Sequence, residues 1–138
     1  MPTHAPVLID ELFGELKPAE ADERWIVART KPRCEKKLAE YARNNGIWYY
    51  LPQMESTRIY QRRQVKFTKP IFPGYLFCAV DAEKKRILVI SGYTVSFIKV
   101  PMQQELLDEL TNLRLSTRPK PDMTNVLWLS QGIEVEIT

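Results

Sequence analysis

The sequence predicts an α+β fold, in which an antiparallel four-stranded sheet carries helices packed mainly on one face. Short runs rich in aromatic and β-branched residues alternate with segments whose apolar residues repeat at helical spacing. Their order along the chain is β-α-β-β-α-β followed by one further helix, and this order favours a single sheet. With 138 residues, of which 44% are hydrophobic, the chain has room for one modest domain with tails.

The first half of the predicted domain consists of a strand, a helix and a second strand. The segment Arg24–Thr30 is rich in aromatic and β-branched residues and predicts the first strand. Thr30 offers an N-cap for a helix that reaches Asn45, and Gly46 is placed to end it. The second strand is predicted over residues 47–51.

The middle of the chain predicts a long projection and a third strand. Residues 53–70 alternate loosely and contain no glycine, which indicates a long β-hairpin or an extended loop. Residues 72–80 form the third predicted strand. Asp81 is placed to cap a short helix over residues 82–91, whose inward side chains are expected to be Ile87, Leu88 and Ile90.

The last elements of the domain are a fourth strand over residues 94–100 and a helix that begins at Pro101. The helix has a leucine stripe at i, i+3/i+4 and i+7 spacing, which predicts core packing, formed by Leu106, Leu107, Leu110 and Leu113. Residues 1–22, which contain several prolines, predict an acidic flexible extension. Residues 117–138 predict a linker and a strand that either pairs back onto the sheet or belongs to a second domain.

Charge is unevenly distributed along the chain. Residues 1–23 hold six acids against one base, whereas residues 24–100 hold sixteen Lys or Arg against five acids. Residues 101–138 return to a small negative balance, with six acids and three bases. A concentrated positive middle favours a polyanionic partner, nucleic acid before others, although a merely solvated cationic surface is the alternative.

The sequence does not favour an enzyme. It has no glycine-rich phosphate loop and no nucleophile–histidine pairing, and His4 lies in the predicted extension. Cys34 and Cys78 lack metal-ligand spacing and are expected to be reduced, buried thiols. We therefore expect no cofactor, no metal and no membrane association. The absence of a signal peptide pattern makes the cytoplasm the default compartment.

The most informative segment is Lys69-Pro-Ile-Phe-Pro-Gly-Tyr-Leu-Phe77, an aromatic run that follows a basic stretch without an acid. An aromatic patch beside a cationic projection suits docking onto a large nucleoprotein assembly, and core packing is the alternative for the aromatic residues. Because alternate residues of a strand share a face, Tyr75 and Phe77 are expected to point one way and Leu76 and Cys78 the other.

Four segments together resemble the amino-terminal domain of NusG-type transcription elongation factors, the NGN domain, whose fold is ferredoxin-like. They are Trp25–Lys37, Tyr50-Leu-Pro52, Phe72-Pro-Gly-Tyr-Leu-Phe77 and Val95-Ser-Phe-Ile98, and the resemblance covers the domain predicted over residues 23–116. The Thr-Lys-Pro-Arg-x-Glu-Lys start is more similar to the specialised paralogues RfaH and UpxY than to housekeeping NusG. The closing residues 131–137 resemble the first strand of the KOW domain that follows in the family.

The resemblance implies binding to RNA polymerase. Factors of this family dock on the clamp helices, bridge the cleft and modulate pausing or termination. By position the family's aromatic patch would comprise Phe72, Pro73, Tyr75, Phe77 and Ile98. Tyr75 is the expected central anchor, since tyrosine offers large rigid area and a polar handle.

Two further contacts and several partners follow from the resemblance. Lys85 and Arg86 stand where RfaH has a run that faces the polymerase gate loop. The hairpin would lie near the non-template DNA strand, with cations that neutralise phosphates and an aromatic ring for base stacking, namely Arg58, Arg62, Arg63, Lys66 and Tyr60. The chain is expected to be a monomer, and ribosomal protein S10 or Rho would bind only through a complete carboxy-terminal domain.

One segment of the third predicted strand is also compatible with a second function. Gly-Tyr-x-Phe at residues 74–77 is faintly similar to an RNA-recognition motif, whose sheet has the same element order, and a module of that kind would bind single-stranded RNA. The long basic excursion before the third strand and the absence of a second aromatic motif on the first strand disfavour this alternative.

Overall fold

The computed structural model describes residues 9–20 and 22–115 completely and residues 133–136 as backbone. In chain order its strands and helices are β1 Leu12–Phe13, β2 Arg24–Thr30, α1 Glu35–Asn44, β3 Tyr49–Tyr50, β4 Gln53–Tyr60, β5 Arg63–Pro70, β6 Tyr75–Val80, α2 Ala82–Ile90, β7 Thr94–Lys99, α3 Gln103–Leu115 and β8 Ile133–Glu136. The described chain thus contains the predicted strands and helices in the predicted order, with β1 and β8 in addition.

The main sheet has the strand order β1-β3-β6-β2-β7-β8, and all of its described pairs are antiparallel. The four predicted strands form its centre, so the predicted α+β fold with an antiparallel sheet is confirmed. Two edge strands are added. β8 pairs with β7 and places Ile133 opposite Lys99. The assignment of residues 117–138 to a linker and a KOW strand stays a prediction, since residues 116–132 lie outside the described chain.

Both faces of the sheet are covered. Every residue from Trp25 to Ala28 is buried. Since alternate residues of a strand point to opposite faces, the side chains of β2 and β6 contribute to two cores, one on each face of the sheet. The first core lies under α1 and α2 and includes Leu38, Ala42 and Leu88. The second core lies under α3 and includes the leucine stripe residues Leu106, Leu107 and Leu110. The expectation of helices mainly on one face thus holds for α1 and α2, while α3 covers the opposite face.

Helix α1 begins later than predicted. Thr30 is the last residue of β2, and its hydroxyl donates to the carbonyl oxygen of Lys31 (3.0 Å) rather than capping a helix. A turn follows, closed by a hydrogen bond from the Cys34 N–H to the Lys31 carbonyl (3.1 Å). The N-cap of α1 is Cys34, and its side chain makes no capping hydrogen bond. At the other end Gly46 has a φ of 70°, as expected of a residue that ends a helix.

Helix α2 is capped as predicted but faces the core differently. The Asp81 carboxylate accepts a hydrogen bond from the Lys84 N–H (2.8 Å). Leu88 is buried and Ile87 is partly buried against the first core. The inward placement of Ile90 is wrong, since its side chain is 68% exposed. Ile90 lies roughly 200° around the helix from Leu88, so the two side chains point in opposite directions.

The predicted flexible extension is replaced, over residues 9–20, by a segment that packs on the sheet; we call it the N-terminal strap. Its strand β1 pairs with β3. The Tyr49 hydroxyl donates to the Asp10 carbonyl (2.6 Å), and the Trp25 indole N–H donates to the Lys17 carbonyl (2.9 Å). Leu12 and Leu16 lie against the second core. Apolar side chains and main-chain hydrogen bonds therefore fix a segment whose acidic composition suggested solvent.

None of the helices among the described residues is both long and apolar enough to cross a bilayer.

Candidate interaction surfaces

The loop of residues 71–74, which leads into β6, is hydrogen-bonded to two other elements. The Gly74 N–H donates to a carboxylate oxygen of Glu35 at the start of α1 (2.7 Å). The Gly74 carbonyl accepts from the N–H of Thr30 at the end of β2 (2.8 Å). Gly74 has a φ of 86°, in the left-handed region that glycine adopts without strain. These contacts hold the loop in a defined position, and Tyr75 follows directly.

Tyr75 emerges from β6 on the face that α3 covers. It is partly buried and packs against the second core together with Phe77, whereas Leu76 and Cys78 belong to the first core. The predicted alternation along this strand is therefore confirmed. Tyr75 and the exposed Pro73 form the accessible part of the predicted patch.

The remaining patch residues lie in the core. Phe77 is 1% exposed, Phe72 4% and Ile98 8%. The rings of Phe72 and Phe77 meet edge to face with centroids 5.8 Å apart. In this structure these three side chains cannot contact a partner directly, because the second core surrounds them. They instead support the surface from below, and we call Ile71, Pro73 and Tyr75 the docking patch.

Sequence reasoning missed two members of this site. Ile71 is half-buried against the second core and adjoins the loop. Glu35 is 7% exposed and anchors Gly74, although it lies 39 residues away in sequence. No local pattern marks such a contact, because it depends on how α1 and the loop meet in space.

Strands β4 and β5 form the predicted hairpin as a separate two-stranded sheet. Tyr60 lies opposite Arg63, and the two residues between them adopt left-handed conformations, with φ of 49° at Gln61 and 65° at Arg62. Two such residues are typical of the two-residue turn that matches strand twist. The hairpin thus closes without glycine.

The register divides the hairpin into two unlike faces. Cross-strand partners share a face, and so do alternate residues of each strand. One face, which we call the cationic face, carries no acid; its residues are Met54, Ser56, Arg58, Tyr60, Arg63, Val65, Phe67 and Lys69. The Arg58 guanidinium lies 5.5 Å from the centroid of the Phe67 ring, which agrees with this assignment.

The opposite face of the hairpin is less basic. It carries Lys66 together with Glu55, so its charges balance. Of the predicted DNA-binding residues, Arg58, Tyr60 and Arg63 are brought together on the cationic face. Lys66 points to the other side, and Arg62 sits in the turn. The structure therefore brings three of the five predicted DNA-binding residues to one face of the hairpin.

The root of the hairpin is attached to the body of the domain on two sides. The Lys36 ammonium on α1 donates to the Thr68 carbonyl (2.6 Å) and hydroxyl (3.2 Å). On the other side, the Gln53 N–H donates to a carboxylate oxygen of Glu11 in the N-terminal strap (3.1 Å). These attachments define the direction in which the hairpin projects.

Lys85 and Arg86 lie away from the docking patch. Both belong to α2, which follows the last residue of β6, whereas Tyr75 is the first residue of that strand. Lys85 is partly buried with its ammonium 5.9 Å from the centroid of the Phe97 ring, and Arg86 is exposed. The predicted polymerase contacts therefore form two separate areas, one at each end of β6.

The titration and metal-binding features of the described residues are few. Burial raises the pKa of the Cys78 thiol to about 12, which keeps it protonated at neutral pH. Within residues 9–20 and 22–115 no three His, Cys, Asp or Glu side chains cluster in a way that could hold a metal ion.

A comparison with protein families identifies the domain. The family model described as transcription termination factor NusG matches residues 23–112, the span that contains the sheet centre, the docking patch and the hairpin. The chain belongs to the NusG family. As a NusG-family protein it is a transcription elongation factor in the general sense, and RNA polymerase is the general partner of that family. No curated protein sequence matches the chain significantly.

Proposed function

We propose that this NusG-family chain binds the clamp helices of RNA polymerase through its docking patch, bridges the cleft and modulates pausing or termination. The observation that supports this proposal is the loop of residues 71–74, held by Glu35 and Thr30 so that Pro73 is exposed and Tyr75 is partly exposed. An aromatic side chain on a preorganised loop loses little conformational freedom on binding, which is how interface anchors gain affinity.

The two ends of β6 support the bridging part of the proposal. The docking patch lies at Tyr75, and Lys85 and Arg86 follow the other end of the strand. A rigid sheet between two contact areas can bind both sides of a cleft at once. A factor that binds the closed clamp better than the open clamp shifts the polymerase toward its closed state. The gate loop is the second contact that we propose.

The hairpin supports a role for DNA in the same complex. Its cationic face combines Arg58 and Arg63 with Tyr60, which is 61% exposed. Cations can neutralise phosphates, and an exposed ring can stack on an unpaired base. We propose that this face lies along the non-template strand.

We also propose that the motif at residues 30–36 marks a specialised paralogue similar to RfaH and UpxY. The protein would work in the cytoplasm as a monomer.

An RNA-recognition module is the weaker candidate. Such a module stacks bases on aromatic side chains that are open on its sheet. Here Phe77 is 1% exposed, and α3 and the N-terminal strap cover the face to which it belongs. No described residue favours this second function.

The test of the proposed function is binding to purified core RNA polymerase. Tyr75→Ala should weaken binding by about 1–3 kcal/mol, because truncation of an interface anchor removes buried contact area. Tyr41→Ala is the matched control, since Tyr41 is also partly buried but lies on α1, away from the docking patch.

A polymerase that lacks its clamp helices completes the experiment. Loss of binding to this polymerase, together with weakening by Tyr75→Ala alone, supports the proposal. Equal affinity of wild type and a folded Tyr75→Ala variant for intact polymerase would contradict the assigned role of the docking patch.

A further inference from the structure

A cleft of about 480 Å³ opens at the end of the sheet opposite the docking patch. It lies where β2 begins, where β6 gives way to α2, and where β7 leads toward α3. Ile26, Val80 and Pro101 contribute apolar lining. The family comparison assigns no role to this cleft, and of its lining residues only Lys85 is also a proposed polymerase contact.

Three cationic side chains from three different elements line the cleft. They are Arg24 on β2, Lys85 on α2 and Lys99 on β7. Arg24 lies on the same sheet face as Ile26, and Lys99 on the same face as Phe97, because alternate strand residues share a face. Lys85 reaches this face too, with its ammonium 5.9 Å from the Phe97 ring centroid. The fold therefore brings these three cations, which are distant in sequence, to one cleft.

The cations are not neutralised by ion pairs within the described chain. Among residues 9–20 and 22–115, neither Arg24, Lys85 nor Lys99 has a carboxylate within salt-bridge distance. Two carboxylates also line the cleft, Asp22 and Asp81. One oxygen of Asp81 is occupied by the N–H of Lys84 at the start of α2. Three cations against two carboxylates leave an excess of one positive charge in the lining.

We propose that this cleft binds a nucleoside diphosphate, with the phosphates between Arg24, Lys85 and Lys99 and the base against the apolar lining. Arg and Lys are the usual side chains that bind phosphate oxygens, and charge-assisted hydrogen bonds are the stronger ones. A volume of about 480 Å³ is within the usual range for small-molecule sites, and an apolar wall with a few convergent polar groups is typical of them. This inference goes beyond polymerase binding and does not depend on it.

The experiment titrates the full chain with adenosine diphosphate, pyrophosphate or adenosine without divalent cations, while backbone amide resonances are followed. We expect adenosine diphosphate to shift resonances around residues 24, 85 and 99. It should also bind more tightly than either pyrophosphate or adenosine. Arg24→Gln and Lys99→Gln should each weaken binding about tenfold, the usual effect of losing one hydrogen bond to a charged group.

The control is Lys37→Gln, which removes the same charge from an exposed position of α1 that does not line the cleft. Its affinity should equal that of wild type. The proposal is overturned if adenosine diphosphate shifts no resonance around the cleft, or if adenosine binds as tightly as adenosine diphosphate. It is also overturned if Lys37→Gln weakens binding as much as Lys99→Gln. Amide spectra of each variant verify the fold, so a loss of binding is not confused with unfolding.

Discussion

At the scale of single residues, the effect of a substitution on stability depends on the atoms that surround the residue in the fold. Gly14 shows this most directly, since it has a φ of 98° and an ideal Cβ there would lie 2.3 Å from Cγ of Trp48. Gly46 has a similar φ of 70° but no atom within 4 Å of its ideal Cβ. The two glycines therefore separate the effect of backbone conformation from that of close packing.

We predict that Gly14→Ala destabilises the protein by about 2–4 kcal/mol, because a strained backbone conformation and a displaced tryptophan act together. Gly46→Ala should cost only about 1 kcal/mol, since it suffers the conformational strain alone. The free energies of unfolding in urea measure both. Equal losses for the two variants would mean that Trp48 moves aside freely.

A buried thiol and a buried phenol make the unfolding free energy depend on pH in the alkaline range. Burial raises the pKa of Cys78 from 9.0 to about 12, and burial, helped by Asp10, raises the pKa of Tyr49 from 10.0 to about 12. Between these values the unfolded chain loses protons that the folded chain keeps. Stability is therefore fully present below about pH 9 and decreases as pH rises toward 12.

We predict that Cys78→Ala reduces this pH dependence, since one of the groups responsible is removed. The measurement is the unfolding free energy in urea at about pH 8 and about pH 10.5, on either side of the unfolded pKa of the thiol. Cys34→Ala is the control, because Cys34 is only partly buried. An unchanged decrease in Cys78→Ala would show that the thiol does not contribute.

At the scale of elements, the hairpin is a projection with two chemically different faces. Arg58, Tyr60 and Arg63 share the cationic face, while Lys66 lies on the other. We predict that Arg58→Gln with Arg63→Gln weakens binding to single-stranded DNA and lowers the slope of log affinity against log salt by about 1.4, the effect of two lost phosphate contacts.

Lys66→Gln is the matched control for the hairpin prediction. It removes a cation of the same element from the opposite face, so the salt slope should stay close to that of wild type. Filter binding or fluorescence anisotropy over a range of salt concentrations measures the slope. A slope decrease of about 0.7 for Lys66→Gln, half that of the double arginine variant, would contradict one-sided binding and favour a diffuse cationic hairpin.

At the scale of the whole molecule, the N-terminal strap connects elements that are far apart in the chain. One Glu11 oxygen accepts from the Gln53 N–H at the hairpin root (3.1 Å), and the other pairs with Arg114 at the end of α3 (3.1 Å). The family match begins at residue 23, so the strap lies outside the matched span. This strap joins the hairpin root to the helix that covers the second core.

We predict that Glu11→Ala accelerates hydrogen exchange of the Gln53 amide and lowers the unfolding free energy by about 1 kcal/mol, since a hydrogen bond to a partly exposed carboxylate is lost. Asp10→Ala is the control, because its carboxylate only pairs with Arg43 at the surface (3.3 Å). Exchange at Gln53 that is equally fast in both variants, or unchanged in both, would contradict a specific role of Glu11.

Features set by local sequence could be predicted well. The strand Arg24–Thr30, the Asp81 cap and the glycine at the end of α1 all match, because propensity and capping act over a few neighbouring residues. Two assignments failed because they depend on more than local propensity. Ile90 lies roughly 200° around α2 from Leu88 and points away from the core. A turn separates Thr30 from α1, whose N-cap is Cys34.

The sequence by itself determined the order of elements, the antiparallel α+β fold, the basic middle of the chain and the family motif around Tyr75. Only the tertiary structure decided that Phe77 is core while Tyr75 is accessible, and that the strap packs on the sheet. It also brought Arg24, Lys85 and Lys99 to one cleft. The physical reason is that periodicity and propensity are local, whereas burial and charge convergence depend on contacts between residues distant in sequence.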